Sequence, residues 1–430
     1  MRTPGIVTLA LLVALGAAAG AQVDCSDPDN LCTGDPCVIP VIEPASPCVV
    51  AFPGELIIEG LRNVENVDFS ALKITVAGSV KGRRGTGGQL ALRSSGDLDL
   101  NGPIQFDGES SITLDAIDRI TQTAPIRMSG GDDTPVDSIL SIHAQSPISL
   151  QAPIVNTGGA DAVEIGSFEG INVSDITNRR RGAGPQPSLL IGGSRINLNG
   201  TVSADGPVDL SAENDIEVRE PIRVGGPHLT IDVAEAPLTV EAPITSTGRA
   251  NGGRCGAITL RAGKGVPIVD APIVCAGRAG GDGIRLSGDS IRVNSTLKTV
   301  SKDETGGDIV LEAGGSFGVV TVTGDILARG SRPGDVVVDG QTISFEDATV
   351  KSSSRLGGGA QRYTATDGDI LLQGTFNAAK GGTIQATATG NVTTDGAFAV
   401  GTGGCIGLSA GGSVSLGSSI FDQTPTTSCP

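Results

Sequence analysis

A short phrase returns along most of this 430-residue chain: a small residue, then Pro or an acid, then Ile or Val, ahead of a Gly-containing turn and a strand-like run. It reads Gly102-Pro103-Ile104, Ala124-Pro125-Ile126, Ala152-Pro153-Ile154, Glu220-Pro221-Ile222, Ala242-Pro243-Ile244 and Ala271-Pro272-Ile273. Its apolar anchor can be followed through Val80, Ile104, Ile126, Ile154, Ile176, Val202, Ile222, Ile244, Ile273, Leu297, Ile326, Val350, Phe376, Phe398 and Ile420. The mean step is about 24 residues, the length of one turn of a solenoid. Single steps run from 20 residues (Val202 to Ile222) to 29 (Ile244 to Ile273), so insertions belong in loops.

Between anchors the residues alternate apolar and polar, as in Ile112-Thr113-Leu114, Ile216-Glu217-Val218, Ile258-Thr259-Leu260 and Ile284-Arg285-Leu286. Period two denotes a strand with one buried face, and no stretch offers a helical apolar stripe. About three such runs fill each unit, separated by Gly, Asn or Asp suited to turns. The expectation is an all-β chain: a right-handed, single-stranded parallel β-helix of about 15 coils of about 24 residues. At about 4.8 Å per coil the rod is roughly 70 Å long. Proline would interrupt a strand interior, so its recurrence before the anchor predicts a place at the first residue of a strand.

Residues 1–21 read as a secretory signal, with Arg2 at the start, an apolar core from Ile6 to Ala18 and a small-residue cleavage site at Ala19-Gly20-Ala21. No later stretch has the length and apolarity of a membrane span. The chain is therefore expected to be exported, to the periplasm, the cell surface or the extracellular space. Eight cysteines follow the signal and fit an oxidising compartment. Cys25, Cys32, Cys37 and Cys48 lie in a Pro- and Asp-rich segment, 22–52, read as an N-terminal cap; their pairing is open among three connectivities. Cys405 and Cys429 are 24 residues apart, one coil length, so they are expected to face each other from neighbouring coils. Cys255 and Cys275 flank one long loop and form a second candidate pair. No Cys-x-x-Cys pair or neighbouring histidine suggests zinc. Residues 53–430 would then be the β-helix, closed by the Cys405–Cys429 staple.

The runs from Gly306 to Gly315, Gly381-Gly382-Thr383-Ile384 and Gly403 to Gly412 resemble the repeats of filamentous haemagglutinin-like secreted proteins of bacteria, and the predicted architecture is similar to the pectin-lyase-like fold. The resemblance covers roughly residues 75–420. It implies a parallel β-helix, surface exposure and adhesion for the first family, and polysaccharide cleavage for the second. Gly131-Asp132-Asp133 matches one polygalacturonase element, in which paired carboxylates serve as general acid and base. Neither His143 nor His228 lies in a Gly-His-Gly element, and no Arg-Ile-Lys occurs. With no Trp and one Tyr, Tyr363, aromatic platforms for sugars are scarce. Gly280-Gly281-Asp282-Gly283 and Gly306-Gly307-Asp308 suggest calcium-binding nonapeptides, but they are 26 residues apart rather than tandem, and a turn role for the aspartates is expected. No catalytic set, metal site or cofactor is assigned.

The formal charge of −17 argues against nucleic acid as a partner. Placing the charges on the repeat gives a different picture. The six positions after each anchor, 90 in all, hold 17 Lys or Arg, where even scattering of the 30 would place about six. The same windows hold 6 of the 47 acids. Equivalent positions stack along one edge of a solenoid, so an acidic rod with one basic ridge is predicted. Arg83, Arg84, Arg179, Arg180, Arg181, Arg249, Arg278, Lys302 and Arg355 are its candidate ligand-binding residues. Two readings compete. In one, the ridge pairs weakly with Asp175, Glu220, Glu241 and Asp270 and does nothing further. In the other, it binds an extended polyanion, such as an acidic polysaccharide or lipopolysaccharide, by charge density alone. The expected function is that of a non-catalytic secreted or surface interaction protein; the alternatives are a polysaccharide lyase or hydrolase and a purely structural surface-layer component.

Overall fold

The computed structural model describes residues 22–430 except 27, 33, 131–137, 159–161, 181–185, 250, 355, 379, 428 and 430. The signal segment, Gly131-Asp132-Asp133, Arg181 and Arg355 therefore lie outside the described residues. The chain winds into a parallel β-solenoid of about 16 turns, one more than the anchors count. Each full turn lays one strand in each of three parallel sheets. The first sheet starts at Leu61–Val64 and ends at Ile420–Phe421; the second runs from Cys48–Ala51 to Cys405–Ala410; the third runs from Cys37–Ile39 to Val414–Ser415.

The anchors form one unbroken ladder in the first sheet. Val80 pairs with Ile104, Ile104 with Ile126, and the register continues without a slip to Phe398. Each of these fourteen side chains is at most 1% exposed, and burial of an aliphatic side chain of this size contributes about 2 kcal/mol. The last anchor differs from expectation. Phe398 pairs with Phe421, and Ile420 is 73% exposed. A stack of rings explains the shift: Phe376, Phe398 and Phe421 lie face to face with centroids 4.9 and 5.1 Å apart, which draws Phe421 into the interior.

Proline sits one residue before the strand rather than on its first residue. There its carbonyl is used and its missing N–H is not. The anchor amide of one coil donates to the Pro carbonyl of the next, as in Ile104 N to Pro125 O (3.1 Å) and Ile222 N to Pro243 O (3.0 Å). At Thr201, where the position is not proline, the amide finds a side chain instead, donating to Asp175 Oδ1 at 2.8 Å. The small residue before it turns inward, and Ala124, Ala152, Ala242 and Ala271 are 5–8% exposed. Toward the C-terminal end this turn disappears. Thr342–Ser354, Ile370–Asn377 and Val392–Ala399 run continuously from the third sheet into the first, bending at Gly374 and Gly396, whose φ values are 127° and 152°.

All four disulfides join cysteines expected to be oxidised: Cys25–Cys48, Cys32–Cys37, Cys255–Cys275 and Cys405–Cys429, with Cα separations of 5.2, 5.5, 5.5 and 5.6 Å. The Cys-rich segment supplies strands of its own, Cys37 pairing with Leu56 and Cys48 with Val67, so it forms the first turn of the rod. At the other end the chain beyond Asp422 crosses back to the last strand of the second sheet. Leu408 N donates to Thr426 O and Thr426 N to Ile406 O, both at 2.8 Å, and this covers part of an edge that would otherwise be open. Asp308 takes the turn role: its Oδ1 accepts the amide of Asp335 (2.8 Å), and Asp335 Oδ1 accepts that of Ala360 (2.9 Å), each tying one coil to the next. Asp282 instead faces Arg254 at 3.6 Å. Among the described residues no group of three or more His, Cys, Asp or Glu is placed to hold a metal ion, and no helix is long and apolar enough to cross a membrane.

Candidate functional site: a basic corner between two sheets

The residues after each anchor form the corner joining the first sheet to the second. What fixes this corner is a buried column two residues beyond the anchors: Asn156, Asn178, Ala204, Val224, Ser246, Cys275, Thr299, Ala328 and Ser352 stack in register inside the rod. Its polar members hold the loop that carries the ridge. Asn178 Nδ2 donates to Ser188 O (2.8 Å) and Pro187 O (3.2 Å), and Asn156 Nδ2 donates to Asn178 Oδ1 (2.6 Å). Ser246 Oγ accepts the Gly256 amide (2.9 Å), and Thr299 Oγ1 donates to Gly307 O (2.6 Å). The Asn156–Asn178 bond links first-sheet strands of neighbouring coils, and each of the others joins the end of a first-sheet strand to the approach to, or the start of, the second-sheet strand of the same coil. The Cys255–Cys275 disulfide joins the approach to the second-sheet strand of one coil covalently to the first-sheet strand of the next, with both residues buried.

Those of the predicted cations that lie among the described residues are carried on this corner, and their pairing separates them from most of the remaining surface. On the second and third sheets and their corner, most basic residues meet acids of adjacent coils: Arg119 and Asp97 at 3.0 Å, Arg195 and Asp215 at 3.6 Å, Lys264 and Glu235 at 2.7 Å, Lys73 and Glu55 at 3.3 Å, with Arg93 on Asp68 and Arg285 on Glu312; Arg219 pairs with Glu217 on its own strand, and Arg292 and Arg362 form no ion pair among the described residues. The ridge is different. Arg83 bonds Glu65 and so is not an available cation. Arg180 and Lys380 have contacts of their own. Lys81, Arg84, Arg127, Arg179, Arg223, Arg249, Arg278, Lys298, Lys302, Arg329, Arg332 and Lys351 have no carboxylate within ion-pair distance among the described residues. The acids expected to neutralise them are turned to other work. Asp175 holds the Thr201 amide and Asp270 accepts Asn294 Nδ2 at 2.7 Å, while Glu220 and Glu241 form no ion pair among the described residues.

The ridge is densest over four consecutive coils, where Arg179, Arg180, Arg223 and Arg249 line an open depression of about 790 Å³ together with Ser203, Asp205 and Thr247. Four guanidinium groups face one carboxylate, and that carboxylate is engaged: Asp205 Oδ2 accepts the Arg180 amide at 3.2 Å. Arg179 Nη2 donates to Ser203 Oγ at 3.2 Å, which aims it across the neighbouring coil. Arg223 was missed as a single site residue although it falls in the counted windows; it alternates with Ser203 and Thr245 on the outward side of the first sheet. Arg84 belongs to a separate depression of about 550 Å³, with Arg62 and Lys81 but also Glu59 and Asp107. Arg278 and Lys302 continue the edge from the ends of Ile273–Gly277 and Leu297–Ser301.

Acid groups shifted in the direction useful to proton transfer are few. Asp215 is raised above the usual carboxylate range, chiefly by burial and then by Glu217, against the pull of Arg195 and Arg219. It lies between the second and third sheets, away from the basic corner. Tyr363, the one tyrosine, is fully buried and its hydroxyl donates to Gln361 Oε1 at 3.1 Å, so it offers no platform to a sugar; burial raises its pKa well above 10.0. Comparison of the chain with protein-family models, curated proteins and solved structures found no match.

Proposed function

We propose that the protein is a non-catalytic, exported interaction rod that binds an extended anionic polymer, an acidic polysaccharide, along its basic corner. The observation that carries this reading is the selective lack of partners. Most cations on the second and third sheets are matched by acids, mainly one coil away, whereas most of those on this corner, Arg83 and Arg254 excepted, form no ion pair among the described residues while the molecule as a whole is strongly acidic. Like charges gathered on neighbouring coils of one corner are unfavourable in isolation. A polymer carrying one negative group every sugar or two relieves that repulsion along its whole length, and acidity elsewhere disfavours attachment to other faces.

Incubating the protein with a panel of acidic polysaccharides tests the reading. Retention that weakens with salt, without new reducing ends or unsaturated products, is the expected result. Release of products would instead favour a polysaccharide-cleaving enzyme, and self-assembly without retention a structural surface layer. Replacing Arg179, Arg180 and Arg181 together by Ala is expected to reduce retention; unchanged retention would remove this segment from the binding surface.

A further inference from the structure

A second feature lies on another edge of the rod, at the corner between the second and third sheets. Residues at one outward position of four successive coils, Asp115, His143, Gly166 and Gly192, are in register. The two glycines leave the sheet bare, and the His143 ring leans over the first: a Cβ on Gly166 would stand 2.5 Å from His143 Nδ1. The resulting niche of about 410 Å³ also includes Gln145 and Phe168.

Phe168 stands over this niche because the strand is bulged there. The register between Ala162–Val173 and Ser188–Leu198 slips between Ser167 and Gly170, and a bulge re-aims a side chain away from the sheet. Ser167 locks it, its Oγ donating to Ser146 O (2.9 Å) and accepting the Glu169 amide (3.1 Å). The phenyl ring is 79% exposed, in a chain that buries most of its aromatic rings. The niche thus has an aromatic side chain presented by the bulge, a carbon-rich floor and a rim of carboxylate, imidazole and amide.

We propose that this niche binds the ring of a pyranose sugar. The lining selects against other classes. Arg93, 3.8 Å from Asp115, also bonds Asp68 and so is not free to attract an anion, and an alkyl chain would displace water from His143 and Gln145 without replacing its hydrogen bonds. A pyranose presents a face of C–H groups to an aromatic ring and hydroxyl donors and acceptors at its edge, which fits both halves of the niche. The site is independent of the basic corner and does not require the polymer reading to hold.

Saturation-transfer NMR with octyl glucoside, octyl galactoside and octyl mannoside, each below its micelle concentration, distinguishes ring from chain in a single probe. Saturation on the pyranose protons is expected with at least one glycoside. It should fall about fivefold or more in Phe168→Ala, and equally in Gly192→Leu, which fills the niche while leaving Phe168 in place; the nearest atom to a Cβ there is Ser211 Oγ at 3.5 Å, so the backbone need not move. Phe317→Ala, which removes another exposed phenyl ring (85%), should leave the signal intact. Saturation confined to the octyl chain, no ring saturation with any of the three, or a signal unchanged in both niche variants would overturn the assignment.

Discussion

Replacing Asn178 by Leu tests whether the buried polar column holds the basic corner in place. The side chain is fully buried, donates to the carbonyls of Ser188 and Pro187 and accepts from Asn156. Leucine has a similar volume, so the main loss is polar. Three bonds at a net value of about 1 kcal/mol each give a cost of about 3 kcal/mol. In a solenoid the coils are stabilised mainly by their neighbours, so the cost should fall on the coils that contain residues 154–204 and not on the rod as a whole. Hydrogen exchange followed by mass spectrometry reads this directly. A loss of about 3 kcal/mol corresponds to exchange about 100-fold faster for amides of Ile176–Arg179 and Ser188–Leu198, with protection beyond residue 280 unchanged. Polyanion retention should weaken as well, because Arg179 and Arg180 follow Asn178 directly in the chain. Wild-type exchange in these strands would refute the claim that the asparagine pair secures the corner.

Three other perturbations follow from the geometry. Breaking the Cys405–Cys429 bridge with Cys429→Ser opens a loop spanning 24 residues; the chain-entropy relation assigns it about 3.5 kcal/mol, expected as early proteolysis after residue 400 with the rest of the rod resistant. Gly374→Ala places a Cβ 2.2 Å from Ala348 O at a φ of 127°, so a loss of about 3 kcal/mol is expected in thermal unfolding, and wild-type stability would contradict the bend assigned there. Because burial raises the Tyr363 pKa, the folded chain keeps its proton where the unfolded chain releases it, so stability falls as pH rises through about 10; tyrosinate absorbance should appear only with unfolding, and a reversible titration near pH 10 in the folded protein would contradict the buried placement.

Much of the fold was legible because the solenoid uses the same coordinate in every coil. The period-two runs located the strands, and the Ile or Val after the small-residue phrase located the ladder from Val80 to Phe398. The 24-residue step placed Cys405 beside Cys429. At Ile420 the rule failed for a local reason: ring stacking on Phe398 selected Phe421, and no periodicity encodes that preference. The Cys-rich segment was read as a cap distinct from the rod, yet its strands open the sheets, too short to show alternation. For the candidate site, charge counting found the edge but not the state of its members. Arg83 and Arg179 occupy the same position in their coils, and only the side-chain geometry shows the first bonded to Glu65 and the second turned to Ser203. The Phe168 niche depends on a bulge and on two glycines in neighbouring coils, and a linear sequence does not mark those as adjacent.

The central claim is that the unpaired corner, and not overall charge, binds a polyanion. The most direct test is the salt dependence of the dissociation constant for a long acidic polysaccharide, measured for the wild type, Arg223→Glu/Arg249→Glu and the control Arg261→Glu, whose arginine lies 3.9 Å from Asp232 on the second sheet. All three substituted arginines are exposed, and each substitution changes the charge by the same amount. The account predicts that the logarithm of affinity falls linearly with the logarithm of salt concentration, as counterion release requires, that the double variant has a shallower slope and at least tenfold weaker binding, and that Arg261→Glu stays close to wild type. Equal weakening by the corner and control substitutions, or binding indifferent to salt, would contradict it.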